Sequence, residues 1–411
     1  MIRTVAGKYA FRSLFRNLRR TGLSALGAGI GCAIAVMGTS WVGGAGEMQM
    51  RAASESGAGH LRVVPLGWED TRENTLRLTD PGHASAETAK LRGVKVAAAR
   101  GRANGLLAFG NRTSGVEIVG VDPRAEHASN RIVHKSKLEG RYLQAGDSGK
   151  TVIGRGLAKR LDVELDDDLY VTMSGKDQIT SLMLNIVGIL ETGSEDLDTS
   201  ICHVMLDDVA KATGYEGPGE ISLLLEDPEL MRSLHTELAA ALFGRNDVIT
   251  WKEVSPELAA NVDGDTAFTR ILMGIIVVVV SLGIAGAQLT AVLERRREFA
   301  VLSALGMKDR QIVSLILVEA VLIGIGGAVV ALAAGGSVAH LLATKGVNIA
   351  KMMGGEMSMG GVLLDPVMYG SFGLWIVWYA LGISLVSTLA ASIYPAWFAT
   401  RTDPADALRV V

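Results

Sequence analysis

Four long runs of apolar residues divide the chain, and the polar stretches between them differ greatly in length. The runs extend over Leu23 to Gly44, Phe268 to Leu293, Ile312 to Leu342 and Tyr369 to Tyr394. Each is long enough to cross the ~30 Å hydrocarbon core of a bilayer, which takes about 20 residues. The pattern therefore predicts an α-helical membrane protein with four transmembrane helices, here called spans 1 to 4.

The first run has a second interpretation. Six basic residues precede it and a Gly-Gly-Ala-Gly stretch closes it, as in a secretory signal peptide. Its apolar region, however, is about twice the ~7–15 residues of a typical signal peptide. We therefore interpret this run as an uncleaved anchor.

Residues 45–267 follow a different pattern. Short runs such as GVEIVGV, KTVIGRG and LYVTM are typical of strands, and turn residues separate them. Helical patterns intervene, for example at Ser85–Arg92 and Pro228–Leu242. The expected fold class is an α-helical membrane protein with four transmembrane helices plus a large α+β extracytoplasmic domain, in two lobes, inserted between spans 1 and 2.

Lysine and arginine residues mark one side of the membrane. Six of them precede span 1 without an acidic residue among them, and five lie between spans 2 and 3. The positive-inside rule places such stretches in the cytoplasm. Both termini are then cytoplasmic, and the large domain lies outside, because long domains cross largely regardless of their charge.

These assignments predict a layout of nine segments. They are a cytoplasmic amphipathic helix (1–22), span 1 (23–44), the outer domain (45–267), span 2 (268–293), a cytoplasmic helix (294–311), span 3 (312–342), an outer loop (343–368), span 4 (369–394) and a cytoplasmic tail (395–411). We expect the chain in the inner membrane of a bacterium with two membranes, where the outer domain is periplasmic.

The charge distribution agrees with this layout. The formal net charge is only -3, but residues 47–267 carry 24 basic and 35 acidic residues. An acidic outer domain between basic, membrane-associated ends argues against binding to nucleic acid. The two cysteines, Cys32 and Cys202, imply no disulfide framework.

Motifs for catalysis and for metal or nucleotide binding are incomplete or missing in the sequence. The stretch QAGDSGKT, Gln144 to Thr151, resembles a phosphate-binding loop, but Gln144 stands where the first glycine of that motif is required. The histidines are scattered without metal-ligand spacing. We therefore expect no catalytic residue, no metal site and no cofactor bound by this chain.

A family resemblance rests on several stretches together. ERRREFAVLSALGMKDRQI after span 2 and YPAWFATRTDPADALR at the C-terminus resemble the corresponding motifs of the MacB/FtsX-type ABC transporter permeases. VIGRGLAKRLDVELDDDLYVTM in the outer domain is similar to their membrane-distal lobe. The layout is most similar to that of the lipoprotein-releasing permeases LolC and LolE.

The resemblance implies a set of partners. In this family two permeases pair, and a dimer of cytoplasmic ABC ATPase subunits, which binds ATP and magnesium, docks beneath them. Whether this chain pairs with itself or with a homologue stays open. The other implied partners are a lipoprotein or another amphipathic substrate and membrane lipid, with a periplasmic chaperone or adaptor as a further candidate.

The short helix between spans 2 and 3 is the part that docks on the ATPase in this family. On that resemblance the docking role falls on Glu298, Phe299, Val301, Leu302, Leu305 and Gly306. Independently of the resemblance, Glu298, Leu302 and Leu305 share one helical face, and such a face can fit a groove on a partner. Gly306 is then expected to end the helix. Many relatives differ at Phe299, Ala300 and Ser303, which leaves the cognate ATPase open.

Charged residues around this helix have expected roles of their own. Arg295, Arg296 and Arg297 are expected at the level of the lipid phosphates; a plain positively charged loop explains these three residues equally well. Glu319 lies within span 3, where a carboxylate is costly enough to suggest a role. We favour a structural contact that couples spans 2 and 3 over proton transfer.

The function implied is that of a permease subunit which transmits motion from a separate ATPase to its periplasmic domain and so extracts lipoproteins or other amphipathic molecules from the outer leaflet. Two alternatives stay open. One is a MacB-like efflux permease that works with a periplasmic adaptor, and the other is an FtsX-like regulator of a cell-wall hydrolase. The chain is expected to have no enzyme activity of its own.

Overall fold

In the computed structural model, residues 18–176, 178–353, 358–359 and 362–401 are described. Most of the predicted amphipathic helix at 1–22 and the end of the predicted tail at 395–411 lie outside these ranges. The described chain forms two compact units. One, the membrane unit, comprises residues up to Gly46, residues 263–347 and residues from Met368 onwards, and the other, the outer unit, comprises Glu47–Val262 and Asn348–Val367.

The helices are numbered in chain order. They are α1 Leu18–Ala53, α2 Trp68–Thr71, α3 Pro81–Lys90, α4 Pro123–Ser129, α5 Arg131–Lys135, α6 Arg155–Leu161, α7 Glu195–Asp198, α8 Leu206–Thr213, α9 Met231–Ala241, α10 Trp251–Val254, α11 Pro256–Glu294, α12 Arg296–Ala304, α13 Asp309–Ala331, α14 Ser337–Lys345, α15 Ile349–Met353 and α16 Trp375–Thr400. A π-helical turn, Ser54–Ala58, follows α1, another, Leu332–Gly336, joins α13 to α14, and a 3₁₀ turn, Pro228–Leu230, precedes α9.

Four helical stretches among the described residues are long and apolar enough to cross a membrane. They are Gly22–Ala58, Pro256–Glu294, Asp309–Lys345 and Trp375–Thr400. The first three contain the apolar runs predicted as spans 1 to 3, whereas the fourth helix begins at Trp375, six residues after the start of the run Tyr369 to Tyr394 that was predicted as span 4. The helical stretches extend further than three of those runs, because polar residues continue the helices past the apolar part.

Small residues let the helices of the membrane unit approach one another closely. A Cβ added to Gly31 of α1 would lie 2.1 Å from Cγ2 of Val280 in α11. A Cβ on Gly327 of α13 would lie 2.8 Å from Oγ of Ser384 in α16. Ser384 Oγ also donates a hydrogen bond of 2.8 Å to the carbonyl of Gly324. Close backbone approach of this kind is a common basis for helix association in membranes.

The outer unit is built on a mixed β-sheet. Its strands are β1 Leu61–Pro65, β2 Val94–Phe109, β3 Arg112–Val121, β4 Lys137–Gly140, β5 Lys150–Gly154, β6 Asp168–Ser174, β7 Ile179–Glu191, β8 Cys202–Met205, β9 Glu220–Leu225 and β10 Asn246–Thr250. Their order is β10-β1-β9-β2-β3-β8-β5-β7-β4, and β6 pairs with both β2 and β7. The pairs β3–β8 and β5–β7 are parallel. Four two-residue strands follow between spans 3 and 4, at Val347–Asn348, Ser358–Met359, Val362–Leu363 and Val367–Met368.

The sixteen-residue strand β2 connects two hydrophobic cores. One half of β2 pairs with β9, beside a core from β1, β9, α3 and α9. The other half pairs with β3 and β6, beside a core from β5, β6, β7, α6 and α8. The alternation of apolar residues in β6, where Leu169, Val171 and Met173 are buried, shows why this sequence forms a half-buried strand.

Residues 362–367, from the stretch predicted as an outer loop, pack into the outer unit and are here called the strap. Leu363 belongs to a core with Ile132, Val133 and Leu197. Leu364 lies in another cluster with Trp251. The sequence pattern gave no indication of this packing, because the apolar residues of the strap form too short a run to show a period.

Candidate functional site

The helix predicted to dock on an ATPase begins directly after Arg295. Arg295 lies between the last residue of α11 and the first residue of α12. Its guanidinium contacts the side chains of Glu298, Glu319 and Phe299. Nε donates to Glu298 Oε2 at 3.1 Å, Nη1 donates to Glu319 Oε2 at 3.1 Å, and the group lies 5.2 Å from the ring centroid of Phe299. One side chain therefore connects the end of α11, the first turn of α12 and α13.

The predicted docking residues fall into two groups. Phe299 is 3% exposed and packs in a cluster with Val292, Ile312, Leu315, Ile316, Ala396 and Ala399. Leu302 also packs against this cluster. Val301 is 44% exposed and Leu305 is 79% exposed. The apolar surface that α12 presents therefore consists of Val301 and Leu305, whereas Phe299 and Leu302 hold the helix in place.

The end of α12 shows a backbone feature that its sequence predicted. Gly306 has a φ of +90°, a conformation that residues with a Cβ rarely adopt. Its N–H donates to the carbonyl of Ser303 at 2.9 Å. This glycine is exposed and ends the helix immediately after Leu305.

The three arginines at the start of α12 do not share one environment, and their position at the lipid phosphates stays a prediction. Arg296 and Arg297 are exposed. The Arg295 side chain is only 11% exposed, because its guanidinium pairs with Glu298 and Glu319. The intramembrane carboxylate of Glu319 is thus an ion-pair partner that links α13 to the α11–α12 junction.

A second group of charged residues lies where α1 passes into β1 of the outer unit. This junction cluster consists of Arg62 of β1, Arg100 and Arg102 of β2, Glu126 of α4 and Glu220 of β9. The strand register explains their proximity, since Arg100 is opposite Glu220 and Arg62 is opposite Ser222. Alternate residues on one strand share a face, which brings Arg100 and Arg102 to the same side.

The contacts of the cluster converge on one carbonyl. Arg62 Nη2 donates to the carbonyl of Gly57 at 3.0 Å, and Arg100 Nη1 donates to the same oxygen. Arg62 Nη1 also pairs with Glu220 at 2.9 Å, and Arg100 Nε pairs with Glu126 at 2.7 Å. Gly57 lies in the π-helical turn that follows α1. The cluster therefore fixes the point at which this helix leads into the sheet.

The ionisation of the cluster follows from its burial and its pairing. Burial would raise the pKa of Glu220, but Arg102, Arg62 and Arg100 lower it to about 2. Burial would also raise the pKa of Glu126, and Arg100 brings it below its usual value. Both carboxyl groups are thus charged at neutral pH. Arg102 Nη1 adds a contact of 2.5 Å to Glu117 at the edge of the cluster.

The strap is held to the outer unit by another buried arginine. Arg131 of α5 is 1% exposed, and both of its terminal nitrogens donate to the carboxylate of Asp365. Lys135 approaches the same carboxylate at 3.3 Å. Burial would raise the pKa of Asp365, and the two cations lower it. Glu55, in the turn after α1, lies 3.8 Å from Arg131.

Sequence reasoning did not find the junction cluster or the Arg131–Asp365 pair. A signal existed for the first, because Arg62 interrupts the otherwise apolar strand LRVVP and because Arg100 and Arg102 have the i, i+2 spacing of one strand face. For the second there was no local signal, since its partners are 234 residues apart.

Hydrolytic and metal chemistry have no evident location in the described part of the chain. No group of three or more His, Cys, Asp and Glu side chains among the described residues could hold a metal ion. A cavity of about 450 Å³ adjoins the junction cluster, but Arg62, Arg100 and Arg102 already bind protein oxygens. The geometry is suited to fastening chain segments together.

The fold and these contacts define a membrane protein whose apolar helices carry a mixed α/β outer unit and a short exposed helix. Residues 21–241 match the family described as MacB-like periplasmic core domain, and residues 270–404 match FtsX-like permease C-terminal. The first match covers more than half of the chain, so the chain belongs to this family. It is an ABC transporter permease of the MacB/FtsX/LolC type.

Individual relatives are of modest identity. The chain is 24% identical over 318 residues to the "Lipoprotein-releasing system transmembrane protein LolC" of Xylella fastidiosa (strain 9a5c), covering 74% of this chain and 75% of the relative. It is 26% identical over 359 residues to the "Macrolide export ATP-binding/permease protein MacB" of Hyphomonas neptunium, covering 84% and 54%. The crystal structure of the periplasmic region of MacB from Actinobacillus actinomycetemcomitans aligns with a TM-score of 0.36 at 14% identity, covering 48% of this chain and 92% of that one.

Removal of Arg131 tests the attachment of the strap. We expect Arg131→Met to lower the free energy of unfolding of the outer unit by about 3 kcal/mol, because a carboxylate loses its buried partner. The double variant with Asp365→Asn should cost less than the sum of the single variants, by roughly 0.5–3 kcal/mol. Denaturant titration of the purified chain in detergent measures these values. Lys135→Met, at an exposed residue, is the control and should lower the free energy of unfolding by at most about 1 kcal/mol. If the losses of the two single variants at Arg131 and Asp365 simply add up in the double variant, the two side chains are not coupled and the prediction is wrong.

The buried histidines predict how the stability of the outer unit depends on pH. Burial lowers the pKa of both His60 and His203 to about 4, from 6.5. Between these values the unfolded chain binds more protons than the folded chain, so stability decreases as the pH falls from 6.5 to 4. Each histidine thereby lowers the free energy of unfolding by up to about 3 kcal/mol. Thermal unfolding of His203→Gln should show a shallower pH dependence, whereas the variant His134→Gln, at an exposed position, should match the wild type.

Proposed function

We propose that the chain is the permease subunit of an inner-membrane ABC transporter and that a separate cytoplasmic ATPase supplies the energy. The observation that carries this proposal is the geometry of α12. Arg295, Phe299 and Leu302 fix the helix to α11 and α13, while Val301 and Leu305 remain exposed. A rigidly held helix with an uncovered apolar pair is a suitable docking surface for another subunit.

The route of the proposed motion runs through continuous helices. α1 extends to Ala53 and α11 begins at Pro256, so each helix contains residues of both units. The strap adds a third connection in the chain, between spans 3 and 4. We infer that a displacement of α12 by the ATPase reaches the outer unit along these segments, with the outer unit inserted between spans 1 and 2 on the periplasmic side.

The proposed substrate class is a lipoprotein or another amphipathic molecule taken from the outer leaflet. Relatives named as lipoprotein-releasing system proteins, matched over about three quarters of both chains, support it. An efflux permease that works with an adaptor is the second candidate, and the relative named as a macrolide export protein supports that. Purification in mild detergent, followed by mass spectrometry, distinguishes them. Copurified lipoproteins and an ATPase support the first proposal, and a copurified adaptor without lipoprotein would replace it with the second.

The docking surface has its own test. Leu305→Asp and Val301→Asp each place an unpaired charge on the proposed interface, and we expect stimulated ATP hydrolysis to fall by about tenfold or more. The measurement uses the ATPase that copurifies with the wild-type chain. Leu305→Met keeps the apolar surface and is the matched control. Normal stimulation in both Asp variants would exclude this surface as the docking site.

The orientation of the chain is testable by labelling. Single cysteines at Asp196 in the outer unit and at Ala304 in α12 are both exposed positions, and the native cysteines Cys32 and Cys202 are buried. A maleimide that cannot cross the inner membrane should label Asp196→Cys in cells with a permeabilised outer membrane. It should label Ala304→Cys only after lysis. Labelling of both residues from the same side would remove the route from ATPase to outer unit.

A further inference from the structure

A groove in the membrane unit has the shape and polarity of a lipid site. It has a volume of about 570 Å³ and lies between α1, α11 and α16. Its walls are formed by Thr39, Val42, Gly43, Gly46, Thr266, Thr269, Arg270, Met273, Gly274, Val277, Tyr379 and Ile383. All of these residues belong to the membrane unit. A volume of this size lies within the range of small-molecule sites in proteins.

The polarity of the groove changes along its length. On α11 the lining residues run from Thr266 to Val277, which corresponds to roughly 16 Å at 1.5 Å per residue. The polar end of the groove is formed by Thr266, Thr269 and Arg270. In the sequence these residues follow the acidic residues Asp263 and Asp265. Apolar residues form the other end, with Met273 and Val277 on α11 and Ile383 on α16. An amphiphile with its headgroup near Arg270 and its hydrocarbon chain along Val277 matches this gradient.

Polar groups deeper in the groove are already satisfied by the protein. Thr39 Oγ1 lies 2.9 Å from the carbonyl of Ala35 and 3.2 Å from Oη of Tyr379. The deep end therefore offers no open polar partner at these two side chains. This arrangement favours a hydrocarbon chain over a polar solute in that part of the groove.

Arg270 differs from the other arginines discussed above. It is exposed at the groove, and none of the hydrogen bonds and ion pairs among the described residues involves it. It lies two residues inside the apolar run that begins at Phe268, where an arginine reaches the headgroup level by extending its side chain. A guanidinium at that level forms paired hydrogen bonds with a phosphate group, and it is attracted more strongly to a headgroup of net negative charge than to a zwitterionic one.

From this we infer a binding site for a phospholipid with an anionic headgroup, held by Arg270 at the phosphate and by the wall of Met273, Gly274 and Val277 along one acyl chain. The site does not depend on the proposed function, because a bilayer lipid bound there is not the cargo. The lipid would fill the space between α1, α11 and α16 and so support their packing.

The full-length chain is purified in mild detergent with an equimolar mixture of phosphatidylglycerol and phosphatidylcholine. Mass spectrometry then measures how much of each lipid is retained per protein. The wild-type chain should retain phosphatidylglycerol preferentially. Arg270→Gln should lower the retained ratio of phosphatidylglycerol to phosphatidylcholine about fivefold, the effect of one basic side chain at an anionic lipid surface. Arg270→Lys should restore part of the preference.

A second variant tests the groove independently of charge. A Cβ on Gly274 meets no atom within 4 Å, so Gly274→Leu fills the groove without a clash at the backbone. It should reduce the retention of both lipids. Arg51→Gln is the control, because Arg51 is an exposed arginine of α1 that does not line the groove, and it should leave the ratio unchanged.

Three results with the variants would overturn the inference. They are an unchanged lipid ratio in Arg270→Gln, an equal loss in Arg51→Gln, and full lipid retention in Gly274→Leu. Excess inorganic phosphate separates a lipid site from a simple anion site: loss of phosphatidylglycerol preference on adding phosphate would also contradict a lipid site. None of these measurements involves ATP hydrolysis or cargo, so their outcome is independent of the proposed transport function.

Discussion

The ion pair between Arg295 and Glu319 is the contact on which the arrangement of α11, α12 and α13 depends. Each of these side chains is about one-tenth exposed, and either charge alone would be costly in such a place. Paired, they hold the end of α11 against α13, and Nε of Arg295 donates to Glu298 in the first turn of α12. The arginine also lies over Phe299, and with these contacts in place Val301 and Leu305 are exposed.

Buried arginines also fix chain segments within the outer unit. Arg62 and Arg100 hold the carbonyl of Gly57 where α1 leads into the sheet, and Arg131 holds Asp365 of the strap. Arginine suits these positions because its planar group donates in several directions and stays charged when buried. The proposed transmission of motion requires fixed attachment of this kind, since a loose connection would absorb a displacement instead of passing it on.

The sequence predicted some of these features and not others, for identifiable reasons. Apolar run length was sufficient for the four candidate spans, and Gly306 was expected where the chain turns after α12. Phe299 was grouped with Leu305 because helical spacing cannot tell which apolar residue faces the protein's own core. Arg295 was grouped with Arg296 because its partner Glu319 is 24 residues away. Arg131 and Asp365 are even further apart along the chain, and a single sequence does not indicate which distant residues pair.

These arginines also show why Arg270 is informative. Arg131 and Arg295 lie in protected places, and each has a carboxylate of the protein as its partner. Arg270 lines a groove between three helices, and the described residues provide no carboxylate for it. An arginine exposed to water needs no carboxylate partner, because water solvates its charge. At the edge of a bilayer, however, phosphate groups are the abundant anions, and a charged side chain there is stabilised by pairing with one of them. Arg131 and Arg295 are thus paired within the protein, whereas in the proposed site the lipid supplies the anion for Arg270.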